Sequence, residues 1–329
     1  MKTMKKTKTT SPSTTSSDSK STLHAFVRSA TGYKKVLRGK PCEDAAKAIR
    51  LKKAVICAVA DGHGDSKCKY ADIGSALAAE VACDALKTVY QEHERANDLY
   101  EYVSDNRETI LKKIICKWNE KVVLDYFEKQ NGEAQGVGGS DLAEYARKAF
   151  DPLGENLSVD ELRRRYEERD RNSHALRRIT LLYGTTLNAV LITEKLIVCM
   201  GIGGGDVVAV QGKRIDWLLP TSEQFSTATE SLCYKPEKAL DAFRSIVVRR
   251  SKDNKKLSSS GIDPDFILLA SDGLRNSFLS DDHFAEKIVG LNAEKKKRYR
   301  FFQRNSQRWI EQLTKDSLYQ DDVTFGFVY

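Results

Sequence analysis

Residues 54–64 of the chain read Ala-Val-Ile-Cys-Ala-Val-Ala-Asp-Gly-His-Gly. Seven apolar residues in a row, several of them β-branched, predict a short buried strand. Asp61 follows the last of these residues, and a glycine stands on each side of His63. A carboxylate at a strand end beside glycine is held rigidly, while the backbone leaves room for a ligand. The stretch therefore predicts a buried strand that ends at a binding site.

The pairing of an apolar strand with a carboxylate recurs along the chain. Asp272 follows the apolar run 266–270, Asp321 precedes the last strand, and Glu43 and Asp44 lie in a polar turn before the first. Carboxylates that meet at such strand ends repel each other unless a cation lies between them. Carboxylates, a backbone carbonyl and water are the ligands that Mg²⁺ and Mn²⁺ prefer, whereas Zn²⁺ favours His or Cys. The pattern predicts a hard-metal site without identifying a reaction.

The other elements are predicted from the spacing of apolar residues. Apolar residues at steps of four predict helices over residues 69–90 and 106–129, and a further helix is predicted over residues 281–290. Apolar runs predict strands over residues 186–193, 195–200 and 207–210, and a last strand with Val323, Phe325 and Phe327 on one face. The chain is therefore a mixture of helices and short strands.

The net charge of +8 is concentrated in two short segments. Residues 1–20 hold five Lys and one Asp, and residues 294–308 hold seven basic residues and one Glu. These segments sum to +4 and +6, so the rest of the chain carries 8 − 10 = −2. The slight negative charge of the rest of the chain does not support nucleic-acid binding.

The cysteines and the apolar runs indicate the cellular compartment of the protein. Seven Cys without a CxxC pair predict free thiols in a reduced, cytoplasmic protein. The Lys-rich N-terminus lacks the apolar segment of a secretory signal. The longest apolar runs are far shorter than the roughly 20 residues that span a bilayer, so no membrane association is expected.

The domain organisation follows from composition. Residues 1–22 are rich in Ser, Thr and Lys and predict a disordered tail, and residues 23–329 predict one folded domain. A charged insertion is predicted at about residues 130–178, with a solvated helix over residues 161–169, where charges alternate in sign. Residues 251–261 predict a polar loop.

Five short motifs follow one another along the chain. They are Glu43-Asp44, Asp61-Gly-His-Gly64, Gly184-Thr-Thr186, Ala270-Ser-Asp-Gly273 and Asp321-Asp-x-Thr324. In their order and their residues, these motifs resemble those of the metal-dependent protein phosphatase 2C family. The resemblance extends from about Gly32 to Tyr329. Residues 39–45, Gly-Lys-Pro-Cys-Glu-Asp-Ala, are most similar to the bacterial branch. The resemblance implies an α+β fold, a four-layer α-β-β-α sandwich of two mainly antiparallel sheets flanked by helices.

The resemblance also implies a role for each motif residue. The implied metal ligands are Glu43, Asp44, Asp61, Gly62, Asp272 and Asp321. Asp61 would bridge two Mn²⁺ or Mg²⁺ ions, and Asp44 would hold metal-bound water. Glu43 and the Gly62 carbonyl would bind one ion, whereas Asp272 and Asp321 would bind the other. A hydroxide that bridges the two ions would attack the phosphorus, and His63 would protonate the leaving serine or threonine oxygen.

One departure from the family concerns the basic residue that grips the phosphate. The family's Arg usually stands four residues before the Glu, whereas Arg38 stands five residues before Glu43. Arg38 is favoured because arginine binds phosphate through two hydrogen bonds, and Lys34 and Lys35 remain alternatives.

A second departure concerns an optional third metal ion. The family holds it with the Asp of a Gly-Asp step, but residues 202–206 read Ile-Gly-Gly-Gly-Asp. Gly204 stands where the Asp is expected, and Asp206 stands two residues later. The sequence predicts a weakened or absent third site, with substitution by Asp206 as the alternative.

The sequence thus predicts a metal-dependent serine/threonine phosphatase that acts as a monomer on phosphoprotein substrates. A catalytically silent relative that uses the fold as a binding or regulatory module is the main alternative. A two-metal hydrolase of nucleotides or small phosphate esters is a further alternative, and the slight negative charge outside the two basic segments gives it no support.

Overall fold

The computed structural model describes residues 23–94, 98–130, 138–152, 158–219, 230–250 and 262–329. The tail predicted at 1–22 and the polar loop predicted at 251–261 lie outside the described residues. The strands are β1 Ala25–Ala30, β2 Ala45–Arg50, β3 Ala54–Ala60, β4 Leu187–Thr193, β5 Leu196–Ile202, β6 Asp206–Gln211, β7 Arg214–Trp217, β8 Arg244–Arg249, β9 Phe266–Ala270 and β10 Val323–Val328. The helices are α1 Tyr33–Val36, α2 Ala71–His93, α3 Leu99–Asp105, α4 Arg107–Gln130, α5 Gly139–Arg147, α6 Val159–Leu182, α7 Pro236–Ala242, α8 Asp272–Asn276 and α9 Asp281–Asp316.

The strands form two five-stranded sheets. The first sheet has the order β1-β10-β9-β6-β7, and the second has the order β2-β3-β4-β5-β8. Neighbouring strands pair antiparallel in both sheets. Helices cover the outer face of each sheet, and the predicted four-layer α+β sandwich is confirmed.

The β3 strand is apolar throughout because it is covered on both faces. Ile56 and Ala58 face the layer of helices that contains α2 and α4, whereas Val55 and Cys57 face the other sheet. Alternate residues of a strand point to opposite faces, so a strand covered on both faces needs an unbroken apolar run. All seven of its residues are buried.

The second outer layer is the long α9 helix. Phe302 and Ile310 of α9 pack with Phe325 and Phe327 of β10, which lie on one face as predicted. The helix extends over 36 residues, whereas the sequence predicted only residues 281–290. Residues 294–300 in its middle are rich in long charged residues, which favour helix but leave a weak apolar pattern. In the described part of the chain, no helix is long and apolar enough to cross a membrane.

The charged region of residues 130–178 contributes two helices to the layer over the second sheet. The predicted solvated helix at 161–169 is part of α6, most of whose side chains in that segment are exposed. Further along α6, Leu176 is buried with Trp118 of α4, and Leu142 of α5 joins the same cluster. Residues 131–137 and 153–157 of this region lie outside the described residues.

Replacing Gly326 with alanine is expected to lower the free energy of unfolding by about 1–3 kcal/mol. A Cβ at this position in β10 would clash with the Sγ of buried Cys57 in the facing sheet. Gly290 is a matched control, because it lies inside α9 and a Cβ there would meet nothing within 4 Å. Gly290→Ala is expected to stabilise the protein by roughly 0.5–1 kcal/mol. Urea unfolding of both variants measures the effect, and equal values would contradict the close packing of the two sheets.

Candidate active site

The candidate site lies where strand ends of the two sheets meet. Asp61 follows β3, and Asp44 precedes β2, whose first residue Ala45 pairs with Ala60 at the end of β3. In the other sheet, Asp272 follows β9 and Asp321 lies two residues before the neighbouring β10. The sandwich therefore brings four carboxylates that are far apart in sequence to one end of the molecule.

The carboxylates are in mutual contact. Asp44 lies within hydrogen-bonding reach of Asp61, Ser271 and Thr324, and Asp61 lies within the same reach of Asp272. Asp44 is buried and Asp61 is half-buried, whereas Asp272 is exposed. The cluster thus runs from the interior to solvent, and its exposed side is open to a substrate.

Burial and crowding raise the proton affinity of this cluster. Burial, and then the charge of Asp322, raise the pKa of Asp44 to about 7, although hydrogen bonds oppose the rise. Burial also raises the pKa of Asp61 well above its ordinary value, and the charges of Asp44 and Asp272 add to that rise. Carboxylates that repel each other in a partly buried site are stabilised by a cation.

The backbone around Asp61 is fixed by the neighbouring motif at residues 184–186. The Asp61 carbonyl accepts hydrogen bonds from the Thr185 hydroxyl at 2.9 Å and from the Thr186 amide at 2.9 Å. The amide of His63 donates to the Gly184 carbonyl at 2.9 Å. These residues hold the strand end through backbone and hydroxyl hydrogen bonds.

His63 rests against a position where only glycine fits. A Cβ on Gly184 would approach His63 Cδ2 at 2.7 Å and Cys68 Sγ at 2.8 Å. Burial lowers the pKa of His63, and the nearby charge of Asp65 partly opposes that effect. The imidazole is therefore held by packing against the backbone at Gly184.

Glu43 is held in place through its backbone. Its carbonyl accepts hydrogen bonds from the Gly62 amide at 3.1 Å and from the Ser75 hydroxyl at 2.6 Å. Its amide donates to Asp322 Oδ2 at 2.7 Å. Gly62 is required here, because a Cβ on it would clash with the Glu43 carbonyl oxygen.

A buried lysine–carboxylate network adjoins Glu43. Lys35 Nζ lies 2.6 Å from Glu43 Oε2, 2.6 Å from Asp322 Oδ2 and 3.9 Å from Asp321 Oδ1. Asp322 Oδ1 also accepts a hydrogen bond from the Gly32 amide at 2.7 Å. Burial acts to lower the pKa of Lys35, but the hydrogen bonds to Asp322 and Glu43 outweigh it and raise the pKa. Lys35 therefore stays charged.

The three basic candidates for phosphate binding are placed differently. Lys35 contacts the carboxylates, whereas Lys34 is exposed and donates to the Tyr319 carbonyl at 3.2 Å. Arg38, which the sequence favoured, is exposed in the turn after α1. The network of Lys35 and Asp322 was not anticipated, although Lys35 was an alternative to Arg38. A lysine eight residues before a glutamate carries no signal of contact until the turn between them is known.

The donor set fits hard divalent cations. In the described part of the chain, no three Asp, Glu, His or Cys side chains already converge as a complete ligand set, and Lys35 lies among the carboxylates. The chemistry of the cluster nevertheless suits Mg²⁺ or Mn²⁺, because the charged donors are carboxylates. Asp44 Oδ2 is buried without a hydrogen-bond partner, which leaves an acceptor for a cation or its water.

The position of the optional third site is occupied by Gly204, which has no side chain to bind a metal ion. Gly204 lies beside Asp272, and a Cβ on it would be 3.9 Å from Asp272 Oδ2. Asp206 begins β6 and is buried, and its Oδ1 lies 3.4 Å from the Arg275 guanidinium. Burial raises the pKa of Asp206 to about 6, although the charge of Arg275 opposes the rise.

The chain matches the model of a known protein family. A family model described as protein phosphatase 2C matches residues 31–299, which is most of the chain. The matched range contains the motifs that end β3 and β9, and Asp321 lies beyond it. No curated protein sequence matches the chain.

Several solved structures are similar to the chain over nearly its full length. A bacterial serine phosphatase matches with 16% identity and a TM-score of 0.48, covering 93% of this chain and 97% of that one. Serine/threonine phosphatase Stp1 from Staphylococcus aureus matches with 14% identity and a TM-score of 0.44, covering 94% and 95%. The Mycobacterium tuberculosis serine/threonine phosphatase PstP/Ppp matches with 13% identity and a TM-score of 0.47, covering 93% and 97%.

Proposed function

Since the chain belongs to the protein phosphatase 2C family of serine/threonine phosphatases, we propose that it removes phosphate from phosphoserine and phosphothreonine in proteins with two divalent cations, Mn²⁺ or Mg²⁺. The observation that carries the proposal is the cluster of Asp44, Asp61 and Asp272, which brings strand ends of both sheets together. Such a crowded cluster is costly to fold without a cation and gains stability with one.

The residues proposed to hold the metal ions are those that the family resemblance implies, and they lie at or near the strand ends that meet at the site. Asp61 would be shared between the ions, Glu43 and the Gly62 carbonyl would serve the first, and Asp272 and Asp321 the second. Asp44, which is buried, would orient water through its unpartnered Oδ2. Divalent cations bound there would lower the pKa of water and neutralise charge on the phosphoryl oxygens.

The side chains of the protein supply the remaining steps. Lys35 is charged and lies among the carboxylates, so it is the better supported of the three basic candidates to attract the phosphate dianion. Arg38 remains an alternative, because its exposed side chain lies three residues beyond Lys35. His63, two residues after Asp61 in the chain, would donate the proton that the departing serine or threonine oxygen requires.

Replacing His63 with glutamine is expected to lower kcat for a phosphothreonine peptide by about 10²–10³-fold and kcat for p-nitrophenyl phosphate much less. An alkoxide is a poor leaving group that needs a proton, whereas p-nitrophenolate departs without one. Steady-state kinetics on both substrates measure the difference. An equal loss on the two substrates would remove the general-acid role from His63.

We propose that the third ion is weak or absent, since Gly204 offers no ligand and Asp206 contacts Arg275. Asp206→Ala is expected to leave stimulation by high Mn²⁺ unchanged in a phosphatase assay. A loss of that stimulation would instead assign Asp206 to a third site.

The test of the function is phosphate release from a phosphothreonine peptide in EDTA, Mg²⁺ or Mn²⁺, with Asp272→Ala beside the wild type. Activity that requires a divalent cation and is lost in the variant supports the proposal. A folded, metal-loaded wild type that releases no phosphate would favour the alternative of a silent binding or regulatory module. A dinucleotide assayed in parallel tests the alternative of a hydrolase for small phosphate esters.

We also propose that the protein acts as a monomer in the cytoplasm. Free cysteines suit a reducing compartment, and every cysteine of the chain lies in the described residues and is free. Size-exclusion chromatography with light scattering tests the oligomeric state.

A further inference from the structure

Exposed apolar side chains are concentrated beside the carboxylate cluster. Among the described residues, eight large hydrophobic side chains are exposed, and four of them belong to two short segments. Val36 and Leu37 are 54% and 69% exposed, and Leu318 and Tyr319 are 85% and 64% exposed. We call residues 33–41 and 317–321 together the apolar rim. Large hydrophobic residues that gather on a surface mark interaction sites more often than scattered ones do.

The two segments of the rim are joined to each other. Lys34 Nζ in the first donates to the Tyr319 carbonyl in the second at 3.2 Å. Gly32 packs directly on the second segment, because a Cβ on it would lie 2.6 Å from the Asp321 carbonyl carbon. The rim is therefore one surface made of two pieces of chain.

The rim is continuous with the candidate active site. Lys35 belongs to the first segment and lies 3.9 Å from Asp321 Oδ1, which closes the second segment. A phosphorylated side chain at the carboxylates would carry its flanking residues across the rim. Exposed apolar groups at that position can bury area against the substrate protein.

The rim also has a definite charge. Residues 33–41 contain four basic residues and no acidic residue. Lys35 is paired with Glu43 and Asp322, whereas Lys34, Arg38 and Lys40 are exposed. A partner that covers this segment is favoured when it carries acidic residues, since complementary charge speeds association and disfavours basic partners.

We propose that the apolar rim is a substrate-selecting surface that binds the part of a phosphoprotein flanking the phosphorylated residue. It selects segments that combine a large apolar side chain with acidic residues. Leu37 and Leu318 receive the apolar side chain, and the cations of residues 33–41 attract the acidic ones. This inference rests on the proposed function, because it places the phosphorylated residue at the carboxylates.

The test compares two phosphothreonine peptides of equal length, one flanked by leucine and aspartate and the other by serine and lysine. We expect kcat/KM of the wild type to be about tenfold higher for the first peptide. In Leu37→Ser and Leu318→Ser, the ratio of kcat/KM for the first peptide to kcat/KM for p-nitrophenyl phosphate is expected to fall about tenfold. The small substrate is the reference because it has no flanking residues.

Phe301→Ser is the matched control. Phe301 is 62% exposed, but it lies fifteen residues before the end of α9, about 22 Å from that end along the helix axis. The ratio is expected to stay at the wild-type value in this variant. Equal kcat/KM for the two peptides in the wild type, or a preference that survives the combined Leu37→Ser and Leu318→Ser substitutions, would overturn the proposal.

A binding measurement that requires no hydrolysis tests this proposal separately from the proposed function. Fluorescence anisotropy of labelled, unphosphorylated versions of the two peptides reports on the rim even in a protein that hydrolyses nothing. Tighter binding of the leucine–aspartate peptide, weakened by Leu37→Ser, supports the rim, and equal binding of both peptides overturns it. Failure of the proposed function is a different result, namely no phosphate release from any substrate with Mn²⁺ or Mg²⁺.

Discussion

Asp61→Asn is expected to abolish phosphatase activity, by at least about a thousandfold, and at the same time to stabilise the metal-free protein. The activity is lost because Asp61 is the carboxylate that contacts both Asp44 and Asp272, so no other residue can be shared between two ions. The stability is gained because the amide carries no charge to be repelled. In EDTA the melting temperature should rise by about 2 °C or more for each kcal/mol of repulsion removed.

The pH dependence of this gain has a definite sign. The pKa of Asp61 is raised in the folded protein, so the folded state holds its proton more tightly than the unfolded state does. The metal-free wild type therefore loses stability as pH rises from the ordinary range of an aspartate towards the raised pKa. The advantage of Asp61→Asn should be present at pH 7 and vanish below about pH 3, under the unfolded pKa of an aspartate.

Thermal unfolding in EDTA and in Mn²⁺ measures both effects. Mn²⁺ should raise the melting temperature of the wild type much more than that of the variant. Asp170→Asn is the control, because this aspartate of α6 is 71% exposed and should leave activity and metal stabilisation unchanged. If Asp61→Asn melted at a lower temperature than the wild type in EDTA, the carboxylates would not be repelling each other and the metal site would lose its physical basis.

The strands that the sequence predicts and those that it misses differ in their position in the sheets. The predicted strands β3, β4, β5, β6, β9 and β10 lie inside the sheets, whereas the missed strands β1, β2, β7 and β8 are the four edges. An interior strand is covered on both faces and must be apolar throughout, which is a strong signal. An edge strand such as β2, Ala-Ala-Lys-Ala-Ile-Arg, is only half-buried, and its composition is equally compatible with a helix.

The residues of the candidate site also differ in how well the sequence predicts their positions. Asp61 and Asp272 were predictable, because each follows an interior strand that the sequence identifies, Asp61 directly and Asp272 after one intervening residue. The contact between Lys35 and Glu43 was not predictable, since it depends on the conformation of the turn between α1 and Glu43. That turn brings Lys35 to Glu43 and leaves Arg38 in solvent. Spacing along the chain measures distance in space only where the backbone conformation is known.

Asp322→Ala is expected to lower the free energy of unfolding by about 3 kcal/mol and to weaken metal activation. The carboxylate of Asp322 is 2% exposed, and it accepts hydrogen bonds from Lys35 and from two backbone amides, those of Gly32 and Glu43. Its removal would leave both amides unpartnered in a buried site, and each orphaned donor costs about 1–3 kcal/mol. Urea unfolding measures the loss.

The control for this prediction is Asp263→Ala. Asp263 also lies 2.6 Å from a basic side chain, that of Arg250, but it is 26% exposed. Its loss should cost only about 1 kcal/mol, so the difference between the two variants measures the contribution of the backbone amides. Similar losses in both would mean that the ion pair alone matters.

The effect of Asp322→Ala on metal activation follows from what the carboxylate holds. It fixes the amide of Glu43 and the ammonium of Lys35, so its loss frees a proposed metal ligand and the neighbouring cation together. Residues that orient a metal ligand typically contribute 10–100-fold to metal affinity. We therefore expect the Mn²⁺ concentration for half-maximal activity to rise at least about tenfold, and Asp322→Asn, which keeps one acceptor, to lie between the alanine variant and the wild type. An unchanged Mn²⁺ requirement in a destabilised Asp322→Ala protein would confine Asp322 to folding and detach it from the active site.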